Sequence, residues 1–168
     1  MQLARLLGAG PVIATASSDA KRRLTLELGA TAAIDGTADG LTERLLEANG
    51  GLAVDAVLDM AGGAVFDASL AALAPLGRLA VYGTASGRPG TVEMVRLIAG
   101  SRSVVGFWLL DYLRVRAGSE AALGQLFSMA SRGELRAVVQ ATYPLERAAE
   151  ANRALESRTT SGKLILRV

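Results

Sequence analysis

Short runs of small and β-branched apolar residues alternate along the chain with stretches whose apolar positions recur every three to four residues. That alternation is what parallel strands joined through covering helices produce, so the pattern predicts an α/β fold. Gln2 to Leu7 reads as a helix stopped at Gly8-Ala9-Gly10-Pro11, where glycine supplies a cap and proline forbids continuation. A strand at Val12 to Ala16 leads through a Ser18 or Asp19 cap into a helix at Ala20 to Leu28, ended by Gly29, and a strand at Ala32 to Asp35 follows. Further on come a helix at Leu41 to Ala48, a strand at Ala53 to Asp59, a helix at Ala64 to Ala74 and a strand at Arg78 to Gly83. A loop rich in Gly, Ser and Pro precedes a helical turn at Val92 to Ala99 and the strongest strand candidate, Val104 to Leu110. The remainder predicts helices at Ser119 to Ser131 and Leu145 to Ser157, the second opened by Pro144, and strands at Val138 to Thr142 and Leu164 to Val168. No repeat, low-complexity tract or linker interrupts this order, so the chain reads as one domain over residues 1–168.

Composition narrows the chemistry. The 168 residues are 51% hydrophobic and 20% charged, enough apolar material for a core and too much for disorder. There is no histidine and no cysteine, which removes disulfides, a thiolate nucleophile, an imidazole base and the usual ligands of zinc, and no metal site is expected. The longest apolar run is Val104 to Leu110, far short of a membrane span, and no signal-peptide pattern opens the chain; a cytoplasmic protein that does not meet a membrane is expected. The pI near 9.4 invites nucleic acid, but basic residues cluster only at Lys21-Arg22-Arg23, too few for a basic face, and no nucleic-acid partner is expected.

Two glycine-containing turns, Asp59-Met60-Ala61-Gly62-Gly63 and Tyr82-Gly83-Thr84-Ala85-Ser86-Gly87, fall just past the carboxyl ends of predicted parallel strands. Ligands of open parallel sheets bind in that crevice, although the same glycines also serve tight strand-to-helix turns. Gly8-Ala9-Gly10 has the wrong order for a phosphate turn, since it follows a helix and precedes a strand. Asp59 lacks an acidic neighbour and suits helix capping or a ribose contact. The turn after Val12 to Ala16 says most: a dinucleotide fold that takes the unphosphorylated cofactor places an acid there, and this chain has Ser17-Ser18 with Lys21 and Arg22 one turn on. Two hydroxyls and a cation suit a 2′-phosphate; a helix cap with solvated basic residues is the alternative, and Asp19 sits at the same end.

The order of these motifs resembles the nucleotide-binding domain of the medium-chain dehydrogenase/reductase superfamily, in its zinc-free quinone oxidoreductase branch. The resemblance is carried by Gln2-Leu3-Ala4-Arg5, Val12 through Lys21, Leu28-Gly29-Ala30 with Ile34-Asp35, Val54-Asp55 with Leu58-Asp59, Gly77-Arg78 through Gly83, Gly106 through Leu109, and Leu155 through Arg158 with Ser161-Gly162-Lys163. It implies an incomplete doubly wound, Rossmann-like, mostly parallel sheet with helices on both faces. The implied cofactor is NADPH, whose hydride reduces a quinone or an activated alkene. Ser17, Ser18 and Lys21 would meet the 2′-phosphate, Arg158 would be a further phosphate contact, and Gly83, Thr84, Phe107, Trp108 and Leu109 would lie along the nicotinamide half. No catalytic residue is implied in this portion, because the cofactor carries the chemistry. The position after Asp35, often aromatic in the family, is Gly36 here.

The match begins inside the family's first helix, so the first strand, its glycine-rich turn and the catalytic domain have no counterpart in these residues. A small-molecule substrate is then expected only where a catalytic domain is supplied. Losing a central strand opens a gap of about 10 Å between its neighbours, which the chain must close, fill with a strand borrowed from another copy or leave partly disordered; closure by direct pairing is the simplest and is expected. The two terminal strands are expected to pair with each other. Val104 to Leu110 resembles the edge strand through which family members form homodimers, with core packing against a helix as the alternative. Competing functions are a remnant or dimerisation module that no longer binds nucleotide, and a methyltransferase, which would want an acid where Ser17-Ser18 stands.

Overall fold

The computed structural model describes residues 1–115 and 119–168 and divides into two compact units, Met1–Ser119 and Glu120–Val168. In the first unit, α1 (Gln2–Leu6) stops at Gly8, whose φ of 83° is the left-handed cap that glycine favours. Next come β1 (Ile13–Ala16), α2 (Asp19–Glu27), β2 (Ala32–Asp35) and α3 (Leu41–Ala48). Ser18 caps α2, its hydroxyl accepting from the Lys21 amide at 3.3 Å. Then follow β3 (Val54–Asp59), α4 (Gly63–Ala71), β4 (Leu73–Val81), α5 (Met94–Ile98), β5 (Ser103–Gly106) and α6 (Leu109–Val115).

Every strand pair among the described residues is parallel, and helices flank the strands, as the doubly wound α/β reading requires. Strands β1 and β2 form one pair, and β3, β4 and β5 form a second set in that order. Direct closure between β1 and β3 does not occur: the two sets stay separate, and β3 keeps Leu58 74% exposed. Both sets are instead held by side chains. Leu41 and Leu45 on the apolar face of α3 bury with Ala72, and Ile13, Ile34 and Val54 pack against that cluster from three different strands. Phe66, Leu70, Leu73 and Leu79 make the other core, between α4 and the β3–β4–β5 set. Burying these apolar faces holds the strands without a continuous ladder.

Two boundaries depart from the pattern for physical reasons. The helix predicted to Ala74 ends at Ala71, because Pro75 cannot continue it and Leu73 opens β4 opposite Val54. The register then slips, with Val54 facing Leu73 and Ala56 facing Arg78, and Leu76 takes a positive φ of 62° while donating its amide to the Gly100 carbonyl. The strand predicted at Val104 to Leu110 is only its first half: β5 ends at Gly106, and Leu109 starts α6. The apolar residues on either side of Gly106 carry no period, so the glycine is the one sign in this run of where the strand ends.

The second unit contains α7 (Ser119–Ser131, its first residue lying in the first unit), β6 (Val139–Pro144), a 3-10 turn at Leu145–Arg147, α8 (Ala148–Glu156) and β7 (Lys163–Arg167). Pro144 closes β6 rather than opening the helix, and the 3-10 turn takes up the predicted first turn. The two terminal strands pair with each other, as expected. A side chain at Gly162 would put its Cβ 2.5 Å from the Val138 carbonyl oxygen, so glycine is what lets β7 enter beside β6. Among the described residues no helix is long and apolar enough to cross a membrane.

Candidate functional site

Strands β4 and β5 run parallel and end side by side at Val81 and Gly106, and their continuations open a cleft of about 660 Å³. One wall is Tyr82, Gly83 and Thr84; the other is Phe107 and Trp108, with Asp111 and Tyr112 from the first turn of α6. The Phe107 amide still donates to the Val81 carbonyl at 2.8 Å, so the chain leaves the sheet only after this ring is placed. Phe107 and Tyr112 lie with ring centroids 5.8 Å apart and tilted by 46°, a favourable aromatic contact. Of the expected residues, Gly83, Thr84, Phe107 and Trp108 therefore converge. Leu109 begins α6 and does not line the cleft. Tyr82 opens the glycine-containing turn already singled out, whereas Asp111 and Tyr112 were not; the i, i+3, i+4 spacing of Trp108, Asp111 and Tyr112 becomes a signal once the helix is recognised.

The Tyr82–Thr84 wall rests on the turn that follows β3. Asp59 is buried, and its carboxylate accepts from the Ala61 amide at 2.8 Å and the Gly62 amide at 3.2 Å. Asp59 is thus a capping residue, one of the roles its isolation suggested. The same turn accepts from the next loop: Ala85 donates to the Met60 carbonyl at 2.9 Å and Ser86 to that of Ala61 at 3.0 Å. Gly62 has φ +70°, and a Cβ there would lie 2.7 Å from the Arg88 carbonyl oxygen, so the two loops approach too closely for a side chain.

At the end of β1, Ser17 is exposed, while Ser18 and Lys21 are half-buried on the cap and first turn of α2. The adjoining Arg22 is committed elsewhere. It donates to the Ala16 carbonyl at 3.1 Å and to the Asp35 carboxylate at 3.2 Å, and it pairs with Asp19. Ala16 and Asp35 are register partners of β1 and β2, which is why a carboxylate thirteen residues away reaches this turn. Arg44 fixes the loop beyond, donating to the carbonyls of Asp35, Thr37 and Asp39. Gly36 lies against Thr15 with ordinary contact distance for a Cβ.

The Thr37 hydroxyl and amide donate to Asp35 at 2.5 and 2.7 Å and, with Arg22 and Arg44 adding to them against partial desolvation, hold its carboxyl below the usual range. A depressed folded-state value stabilises the fold above the unfolded value and loses that contribution as pH falls through the folded one. Thermal melts stepped downward from about pH 5 should fall less steeply below about pH 4 in Asp35→Asn than in the parent chain. An identical acid slope in both would remove Asp35 from the account.

Arg158, the remaining expected contact, belongs to the second unit. It follows α8 with φ 58°, a left-handed conformation uncommon for a residue with a side chain.

Known proteins decide the family. The zinc-binding dehydrogenase family matches residues 28–166. The chain belongs to that family. Within it, the similarity is to quinone oxidoreductase-like members of the medium-chain dehydrogenase/reductase superfamily, in their nucleotide-binding portion. Quinone oxidoreductase 1 of Escherichia coli is 34% identical over 168 residues, covering 98% of this chain and 51% of that protein. The 2-haloacrylate reductase of a Burkholderia species is 33% identical over 165 residues, covering 97% and 49%. The crystal structure of the Escherichia coli quinone oxidoreductase complexed with NADPH superposes with a TM-score of 0.87 at 34% identity, covering 98% of this chain and 51% of that one. The chain spans about half the length of the curated relatives it matches.

The family's description names zinc, and these residues do not fit it. The sequence has neither histidine nor cysteine, and among the described residues no group of three carboxylates is placed to hold a metal ion.

Proposed function

We propose that this chain is the cofactor-holding portion of an NADPH-dependent oxidoreductase that delivers hydride to a quinone or an activated alkene. The observation that carries the proposal is the cleft at the carboxyl ends of β4 and β5, where a doubly wound sheet binds the ring it acts on. NADPH supplies the hydride when bound. Gly83 and Thr84 would line one side of its nicotinamide half and Phe107 and Trp108 the other, while Ser17, Ser18 and Lys21 would meet the 2′-phosphate. The residues fit those tasks: flat rings and small residues line the cleft, and hydroxyls with an ammonium-bearing side chain occupy the α2 turn. Support also comes from the NADPH complex of the Escherichia coli relative.

The site for the acceptor would be completed by a further domain of the kind the longer relatives have room for. A second copy would join along the outer edge of β5, which among the described residues pairs only with β4 and leaves Val105 and Phe107 exposed. The cysteine-free composition suits a cytoplasmic setting.

Calorimetric titration of the chain with each dinucleotide tests the proposal. NADPH should bind at least about tenfold tighter than NADH, the difference expected from one charge-assisted phosphate contact. Absence of heat from both would favour a module that no longer binds nucleotide.

A further inference from the structure

The cleft at the start of α6 is electrically one-sided. Four aromatic side chains line it, Tyr82, Phe107, Trp108 and Tyr112, and its one charged lining residue is Asp111; none of the described residues lining it is basic. Among the described residues Asp111 pairs with Arg114, 3.9 Å away, and both side chains are largely solvent-exposed, at 69% and 77%. That separation is too long for a hydrogen bond, and Asp111 lines the cleft whereas Arg114 does not, so a ring seated there meets the carboxylate rather than the guanidinium. Aromatic faces are themselves negative and attract cations, tryptophan most strongly. Carboxylate and ring faces therefore act in the same direction on anything flat that enters.

We propose that this cleft is selective for a planar pyridinium cation, with Asp111 as the residue that discriminates it from neutral and anionic rings of the same shape. The selectivity is a property of the cleft itself. It rests on the cofactor reading above only for its natural occupant, because oxidised nicotinamide is such a cation and reduced nicotinamide is neutral. On that reading Asp111 and the four rings favour the oxidised form of the bound ring, so positive charge developing there as hydride departs meets a site already arranged for it.

The chain has a single tryptophan, Trp108, and it lines the cleft, so its emission reports occupancy directly. The probes are 1-methylnicotinamide, nicotinamide and nicotinate, one ring carrying charges of +1, 0 and −1. Saturable quenching should show the cation bound about fivefold tighter than the neutral amide and the anion weakest, with the spread shrinking at about 0.5 M salt. Asp111→Asn should bring the cation to within about twofold of the neutral probe, leave nicotinamide unchanged, and be rescued by Asp111→Glu; unchanged nicotinamide binding shows that the cleft is intact. Equal binding of all three, preference for the anion, no saturable quenching, or an unaltered order in Asp111→Asn would overturn the proposal. If the pyridinium preference holds while calorimetry finds no NADPH binding, the cofactor reading fails and the subsite stands; NADPH binding with no charge preference among the probes gives the reverse.

Discussion

Asp59→Ala should lower the unfolding free energy of the first unit by about 3 kcal/mol, and Asp59→Asn by about 1 kcal/mol. The carboxylate is 4% exposed and accepts from two backbone amides, Ala61 and Gly62, the second of them buried. Alanine leaves both donors without an acceptor in a place water does not easily reach, which is where a lost hydrogen bond costs most. Asparagine keeps a neutral carbonyl oxygen and so retains part of the cap. The effect should spread, because Met60 and Ala61 accept from Ala85 and Ser86 and so tie the β3 turn to the loop behind Thr84. Amide exchange at Ala85 and Ser86 should therefore accelerate in Asp59→Ala before global unfolding is reached. Urea denaturation with an unchanged slope measures the loss. Equal midpoints for the alanine and asparagine variants would show that a neutral carbonyl oxygen retains none of the cap, and an asparagine midpoint equal to the parent's would show that the charge contributes nothing.

Elements whose ends carry their own chemistry were readable from sequence, as was the pairing of the two terminal strands; what lies between β1 and β3 was not. Helix α3 has the predicted bounds, Leu41 to Ala48, and its buried Leu41 and Leu45 stand at helical spacing. Helix α2 is bracketed in the sequence by a Ser18 or Asp19 cap and by Gly29, and the structure uses Ser18. The run Val104 to Leu110 contains one such marker, Gly106, where β5 ends; reading the strand through it missed the change from β5 to α6, and Asp111 and Tyr112 were missed with it. The expected direct pairing of β1 with β3 failed for a different reason. Separate strands can be held against common apolar faces, and Ile13 and Val54 both reach the α3 cluster without meeting in a ladder. The cleft was half legible, because the rule that ligands sit at strand ends selected Gly83 and Thr84 without knowledge of β5's true end. The Arg22–Asp35 ion pair was not, since it depends on the register that sets Ala16 beside Asp35.

Lys21→Ala should weaken NADPH binding ten- to a hundredfold and leave NADH within about twofold, measured by calorimetry at low salt. The residue stands on the first turn of α2, whose cap is the Ser18 hydroxyl, at the carboxyl end of β1. An anion there would otherwise face Asp19, but Asp19 is paired with Arg22, which Asp35 also engages, so local acidic charge is largely offset. A phosphate dianion gains a charge-assisted hydrogen bond from an ammonium that a ribose hydroxyl does not match, and the substitution removes only that difference. Lys21 is half-buried and alanine favours helices, so the fold should persist and the NADH titration serves as the internal control. Ser18→Ala would confuse the measurement by deleting the helix cap, whereas exposed Ser17→Ala should add a smaller loss in the same direction. Raising salt should erode the parent's preference for NADPH and leave the variant nearly indifferent, since only the charged contact is screened. A proportionate loss of both dinucleotides in Lys21→Ala would move this lysine away from the 2′-phosphate and onto a part of the cofactor the two share.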